Sequence, residues 1–228
     1  MSLYVIGDLH LSFGCDKPMD VFGGRWENYT DKLLEGFSTV GSDDTTVICG
    51  DLSWGMSLEG AKEDFLFIHR LPGKKIILKG NHDYWWTTAS QAYRFFAENG
   101  IDSIEILNNN CFAYENYAIC GTRGWFYEES KSEEHDKKIL ARELMRLETS
   151  LKAAQDREKL VFLHYPPKLV NYERTELLDL MEAYGVKNCW YGHLHSGGRA
   201  LAFEGVARGI RFHLISADHV LLIPQKIF

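Results

Sequence analysis

Residues 3–10 read LYVIGDLH, an apolar run that stops at a glycine and delivers an acid and a histidine two positions apart. Apolar and β-branched residues without polar alternation predict a strand buried on both faces, here over 3–7. The construction recurs: residues 45–51 read TTVICGD and residues 75–83 read KIILKGNHD. Helical periodicity fills 26–40 and 57–71 between these strands, and returns at 87–99. Ser57 is placed as the N-cap of the second helix, Pro72 and Gly73 end it, and Gly100 closes the third. Strands alternating with helices at this spacing predict right-handed crossovers and a largely parallel sheet.

The pattern changes after residue 100. Short strands at 104–107, 111–114 and 117–121 are separated by polar turns at 108–110 and 115–116, which predicts hairpins. A long polar helix over 133–156 follows, then a strand at 160–163, a helix at 174–184, a strand at 188–191 and β-rich sequence to residue 228. No repeat or linker interrupts the chain. The expectation is an α/β protein with one domain over 1–228, two packed sheets with helices outside.

Composition narrows the class. Of 228 residues, 45% are hydrophobic and 25% charged, as in ordinary soluble proteins. No run of about 18 apolar residues predicts a membrane span. The chain enters a strand at once, with no basic and apolar leader, so the expected location is cytoplasmic. Five cysteines, an odd number without a CxxC pair, fit reduced and mostly buried thiols. A net charge of -7 counts against a nucleic-acid coat. It leaves a phosphate substrate open, because bound cations reverse the local sign.

The unusual residues fall at strand ends. Asp8 and His10 follow the first strand, Asp51 the second, and Asn81, His82 and Asp83 the third. His164 follows the strand at 160–163, and His193 and His195 the strand at 188–191. Parallel strands line up their carboxyl ends on one edge, where α/β proteins bind ligands. Imidazole, carboxylate and carboxamide without thiolate suit manganese, iron or zinc. Asp8 and His10, and again His193 and His195, are spaced to point one way from an extended segment. A carboxylate has two oxygens, so Asp51, alone between the two sets, is the natural bridge. A single Gly-Asp is usually a turn, and a single His-x-His is more often accidental than a ligand pair. Five such strand ends together predict one shared metal site.

The series Asp8-x-His10, Gly50-Asp51, Gly80-Asn81-His82-Asp83, His164 and Gly192-His193-x-His195 resembles the calcineurin-like metallophosphoesterases, in that family's order. The resemblance implies a four-layer αββα sandwich of two mixed β-sheets flanked by helices. It implies two divalent metal ions per chain: manganese, iron or zinc. Carried onto these positions, Asp8, His10 and His195 hold one ion, Asn81, His164 and His193 hold the other, and Asp51 bridges both. His82 contacts the substrate phosphate or protonates the leaving oxygen, and Asp83 orients His82. One departure stands out: Trp54, in GDLSWG (50–55), occupies the place where the family often has a second Asp. That change falls on outer-shell hydrogen bonding.

Two ions about 3.5–4 Å apart lower the pKa of a bridging water, bind phosphate oxygens and stabilise in-line attack by the resulting hydroxide. Two divalent ions against two carboxylates and one hydroxide leave a positive centre that favours an anionic substrate. The expected activity is hydrolysis of a small phosphate ester. Phosphodiesters are favoured over phosphomonoesters, because His82 supplies an acid for a poor leaving group. A non-catalytic scaffold is the alternative from another class, and it predicts missing ligands; here every one is present. A nuclease is the third reading, and the acidic charge counts against it. Trp26, Trp54, Tyr84, Trp85, Trp86 and Trp125 sit near the motif loops, where packing outweighs base stacking. Arg25 and Arg123 are candidate phosphate clamps or plain surface residues. His69, His135, His213 and His219 are not assigned as ligands, and the charges of 128–138 are read as a solvated loop and helix face.

Overall fold

The computed structural model describes residues 1–125 and 133–228. In chain order it begins with β1 (Leu3–Ile6), α1 (Tyr29–Phe37), β2 (Thr45–Cys49), α2 (Lys62–Arg70), β3 (Lys74–Leu78) and α3 (Ala89–Glu98). Next come β4 (Ile104–Ile106), β5 (Cys111–Tyr114), β6 (Tyr117–Thr122), α4 (Glu133–Ala153), β7 (Glu158–Leu163) and α5 (Thr175–Ala183). The chain closes with β8 (Asn188–Tyr191), β9 (Gly205–Ala207), β10 (Ile210–Leu214) and β11 (Gln225–Lys226). Among the described residues no helix is long and apolar enough to cross a membrane.

The strands form two mixed sheets, ordered β11-β1-β2-β3-β4 and β5-β6-β7-β8-β10-β9. In the first, β1 to β4 run parallel, with Val5 opposite Val47 and Val47 opposite Ile76. Only β11 is antiparallel there. In the second, β6, β7, β8 and β10 run parallel between antiparallel β5 and β9.

Side chains alternate across these strands, so each strand must find apolar cover on both faces. Leu3, Val5, Val47, Cys49 and Ile76 meet Ile119, Leu160, Phe162 and Trp190 between the sheets. On the far face of the first sheet, Tyr4, Ile6, Ile48 and Ile77 pack with Leu33 and Phe37, Phe65 and Ile68, and Phe96 from its three helices. On the far face of the second, Val161, Leu163, Cys189 and Tyr191 pack with Leu140, Leu147, Leu177 and Met181 from α4 and α5. The result is the expected four-layer sandwich. Cys49, Cys120 and Cys189 are buried within it, and the five cysteines form no disulfide.

Two local expectations change. The strand at 104–106 does not turn back on 111–114; it extends the first sheet parallel to β3, and 108–110 carries the chain across to the second sheet. Asn110 holds this crossing, its Oδ1 accepting from Asn108 N (2.7 Å) while its Nδ2 donates to Ile106 O (3.1 Å). The turn at 115–116 does close a hairpin, β5 with β6. Helix α2 starts at Lys62, not near Ser57, whose Oγ instead accepts from Gly60 N (3.1 Å) in a preceding turn. Of the charged stretch 128–138, residues 128–132 lie outside the described residues.

A buried cation joins α2 to β3. Lys75 Nζ donates to Leu71 O (2.6 Å), Gly73 O (2.7 Å) and His69 O (3.2 Å). These carbonyls lie at or just past a helix C-terminus, where a cation is favoured and no intrahelical donor exists. Lys75→Met removes this donor from Leu71 O and Gly73 O, while Ser103 Oγ still donates to His69 O (3.2 Å), and should lower stability by about 1–3 kcal/mol. An unchanged denaturant midpoint would set this contact aside.

Candidate metal centre

All seven expected ligands meet at the carboxyl edge of the parallel strands. The ligand atoms of Asp8, His10 and His195 lie within 4.8 Å of one another, and so do those of Asp51, His164 and His193. Asn81 belongs with the second trio: its Oδ1 is 2.5 Å from His164 Nε2 and 3.0 Å from His193 Nδ1. In the first trio, His10 Nε2 and His195 Nε2 face each other at 3.1 Å. Asp51 stands between the trios, with Oδ2 3.7 Å from His10 Nε2 and 3.6 Å from His164 Nε2. Each trio draws on both sheets, because Asp8, His10 and Asp51 follow strands of the first and His164, His193 and His195 follow strands of the second.

The backbone is forced into place here. Asp8, His10, Asp51 and His193 have φ of 60°, 48°, 50° and 72°. Side-chain-bearing residues rarely adopt this left-handed region, and it persists where surrounding bonds over-determine it. Those bonds are Asp8 N to Gly50 O (2.9 Å), His10 N to Asp51 O (2.9 Å) and His193 N to Asp8 Oδ2 (2.9 Å). Gly80 and Gly192 permit the close approach: a Cβ on the first would collide with the Asp51 carboxylate, and one on the second with Asp8.

Burial opposes charge throughout. It pushes His10 and His164 well below the usual imidazole range. It pushes Asp51 well above the carboxylate range, with repulsion from Asp83 and Asp8 added. Burial also opposes ionisation of Asp8, but the His195 charge and hydrogen bond outweigh it and hold Asp8 below its ordinary value. For His195 burial acts downward, yet Asp8 and Asp218 carry it up to about 10. Asp51 Oδ2 is buried without a hydrogen-bond partner among the described residues. Such an oxygen, facing nitrogens whose burial keeps them uncharged, lacks a cation. The donor set therefore fits divalent metal ions.

A calcineurin-like phosphoesterase family model matches residues 1–197. The chain belongs to the calcineurin-like phosphoesterase family. Metal-dependent phosphoester hydrolysis is that family's general chemistry. No curated protein matches the chain. Among solved structures, a protein of unknown function from Aquifex aeolicus aligns at 16% identity with a TM-score of 0.54, over 99% of this chain and 95% of that one. A phosphopantetheinyl hydrolase from Mycobacterium tuberculosis aligns at 14% identity and TM-score 0.56, over 94% and 88%. A Thermus thermophilus protein aligns at 13% identity and TM-score 0.51, over 87% and 85%. At these identities the likeness concerns the fold.

Within this phosphoesterase the supporting residues differ in part from expectation. Asp83 accepts from Gly80 N (2.7 Å), Leu52 N (2.8 Å), Asp51 N (2.9 Å), Ser53 N (3.3 Å) and Trp85 Nε1 (2.9 Å). Fully buried, it fastens the 51–53 loop to the 80–83 loop, where the expectation had it orienting His82. His82 N donates to Asp51 Oδ1 (2.7 Å), and the His82 ring meets Tyr84 Oη at 3.4 Å. Trp54 stacks on His10 at 5.0 Å and tilts against His82 at 4.6 Å. Trp26 abuts His10 and His195 edge-on, at 6.0 and 5.7 Å. These rings buttress the ligands, as packing predicted. Trp85 lies in the core against Phe65 at 4.8 Å. Arg25 donates to the Asp218 and His219 carbonyls (2.8 and 3.2 Å), so it pins a loop. His213 stacks on Trp190 at 5.2 Å and His69 meets Ser103 Oγ at 3.0 Å, both through contacts unrelated to the centre.

Asp218 was missed in the sequence. Buried, it meets His195 Nδ1 at 3.3 Å and accepts from Ser196 N at 3.0 Å. No strand-ending glycine marks it; the only signal is an acid in the late β-rich sequence. His164 has the equivalent support, its Nδ1 donating to Cys49 O at 3.0 Å. Such contacts fix the ring and leave Nε2 for a metal. Asp218→Ala should weaken zinc or manganese binding about 10–100-fold in competition with a chelating dye; unchanged affinity would remove Asp218 from the centre.

Asp64 braces the neighbouring loops, accepting from Phe13 N (2.7 Å) and from Ser53 Oγ. Burial raises its pKa to about 6, above the ordinary 3.8. The folded state then holds a proton that the unfolded state has lost, so this group's contribution declines as pH rises from about 4 to about 6. Asp64→Asn escapes the penalty. Urea titrations should show the variant gaining on the wild type across that window, by at most about 3 kcal/mol. A pH-independent difference would overturn the assignment.

Proposed function

We propose that the protein hydrolyses phosphate esters, diesters in preference to monoesters, at a centre of two divalent cations: manganese, iron or zinc. Asp8, His10 and His195 hold one, Asn81, His164 and His193 the other, and Asp51 reaches both. The observation that carries this reading is Asp51 Oδ2, buried, without a hydrogen bond among the described residues, and 3.7 and 3.6 Å from one imidazole nitrogen of each trio. When bound, the cations supply Lewis acidity, which acidifies a water and neutralises phosphate oxygens.

The remaining work falls to the chain's own residues. His82 is the proton carrier for the leaving alkoxide oxygen. Its backbone amide ties it to Asp51, and Trp54 and Tyr84 limit its ring. Contact with Tyr84 Oη engages one ring nitrogen, and the other carries the proton in this reading. A diester has two organic arms, and a cavity of about 480 Å³ beside Trp54, walled by Met19, Val21 and Phe22, supports room for one of them. The substrate in this reading is a small phosphate ester; with a net charge of -7 the chain is poorly suited to a nucleic acid.

The test is hydrolysis of a chromogenic aryl phosphodiester and its matching monoester, before and after chelation and manganese re-addition. Both activities should fall on chelation and return with manganese, the diester being faster. Activity that survives chelation would overturn the metal reading, and a faster monoester would overturn the diester preference. His82→Ala should keep its metal content and lose about 10²–10⁴ in kcat; unchanged turnover would remove His82 from the reaction.

A further inference from the structure

On the Asn81 and His164 side of the centre, a cavity of about 450 Å³ opens between the ends of β3 and β6 and the side of α4. Lys79, Arg123, Arg142 and Arg146 line it, and Glu143 is the one carboxylate among the described lining residues. The chain as a whole has 25 Lys and Arg against 32 Asp and Glu, so this gathering of cations runs against the composition.

Their charge is poorly answered. Glu143 is fully buried and already accepts from Thr122 Oγ1 (2.6 Å) and Arg146 (2.5 Å). Arg123 comes only within 3.6 Å of it, and Arg123 Nε has no hydrogen-bond partner among the described residues. The side chains of Lys79 and Arg142 make neither a hydrogen bond nor an ion pair among the described residues. Among the described residues these four cations have one carboxylate, already committed, to answer them, and guanidinium groups suit phosphate because their paired N–H donors match its oxygens.

The cavity is built on the same segments as the centre. Arg123 O accepts from His164 N (3.2 Å) and Tyr165 N (2.8 Å), and Lys79 stands two residues before Asn81. The Arg123 guanidinium lies over Trp125 and Tyr165 at 5.3 and 6.0 Å, and the Tyr165 ring packs on His193 at 4.5 Å. A ligand group in the cavity is thus a neighbour of the Asn81, His164 and His193 side.

We propose that this cavity is a second anion subsite, and that the substrate is a small phosphoester with a further phosphate group on the arm lying on that side. The substrate half of the proposal rests on the phosphoesterase reading; the subsite itself does not. The first test is calorimetric titration of inorganic tripolyphosphate into protein stripped of metal by chelation and then dialysed. One site should bind, more weakly as salt rises. Arg142 is exposed on α4, so its variants should keep the wild-type circular dichroism. Arg142→Ala should weaken binding about tenfold, and Arg142→Glu should abolish it. No binding, or equal binding by the variants, overturns the subsite whether or not the protein is an enzyme.

The second test is inhibition of chromogenic diester hydrolysis by adenosine bisphosphate and adenosine monophosphate. The bisphosphate should inhibit about tenfold better in the wild type, and that ratio should collapse towards one in Arg142→Ala. A wild-type ratio of one overturns the substrate proposal even where tripolyphosphate binds. A protein inactive with metals loaded sinks the phosphoesterase reading, and with it the substrate half, while the calorimetry still decides the subsite.

Discussion

Three carboxylates buried at one strand edge set the terms for everything around them. Asp8, Asp51 and Asp83 are each at most 1% exposed. A buried carboxylate must be met by donors or by positive charge, or it takes up a proton. Each is met differently. Asp83 has five N–H donors, four amides of the two loops it joins and the Trp85 indole. Asp8 has the His193 amide at both oxygens and the His195 charge. Asp51 has the His82 amide at one oxygen and, among the described residues, no hydrogen bond at the other. The one oxygen left over points between two sets of imidazoles, so the demand for a cation is built into the loops.

That demand also explains the backbone. Bringing amides to carboxylates at hydrogen-bond distance compresses the strand-ending loops. The compression appears as left-handed φ at Asp8, His10, Asp51 and His193, and as glycine wherever a neighbour leaves no room for a Cβ. Two indole rings, Trp26 and Trp54, then close on His10.

The strands and the candidate ligand side chains were legible for one reason. A strand buried on both faces is an uninterrupted apolar run, so a polar residue directly after it is conspicuous. LYVIG before Asp8 and TTVICG before Asp51 show this, and the two-sheet sandwich follows from such runs. What escaped depends on contacts between distant segments. Asp218 reaches His195 only because 216 bridges to Gly7 and draws the late chain under the centre. The role of Asp83 turns on which amides surround it, and sequence adjacency to His82 carries no information on that. Trp54 reads in sequence as a missing acid, but in space it is a flat surface against His10. The strand at 104–106 reads as half of a hairpin because polar residues follow it; parallel pairing with β3 decides otherwise. Of the cationic cavity only Arg123 stood out in the sequence, as a candidate clamp; its four cations are spread from residue 79 to residue 146, so nothing in the sequence joins them.

Each ligand trio takes side chains from both sheets, whose contact is otherwise mainly apolar packing with a few hydrogen bonds at the strand ends. A cation held there would cross-link the two layers, because its ligands come from both. Its binding free energy would then add to the cohesion of the sandwich in proportion to the logarithm of free metal. The durability of the fold would become a property of the metal supply around it, the same protein a firmer object where its cations are plentiful and a softer one where they are scarce.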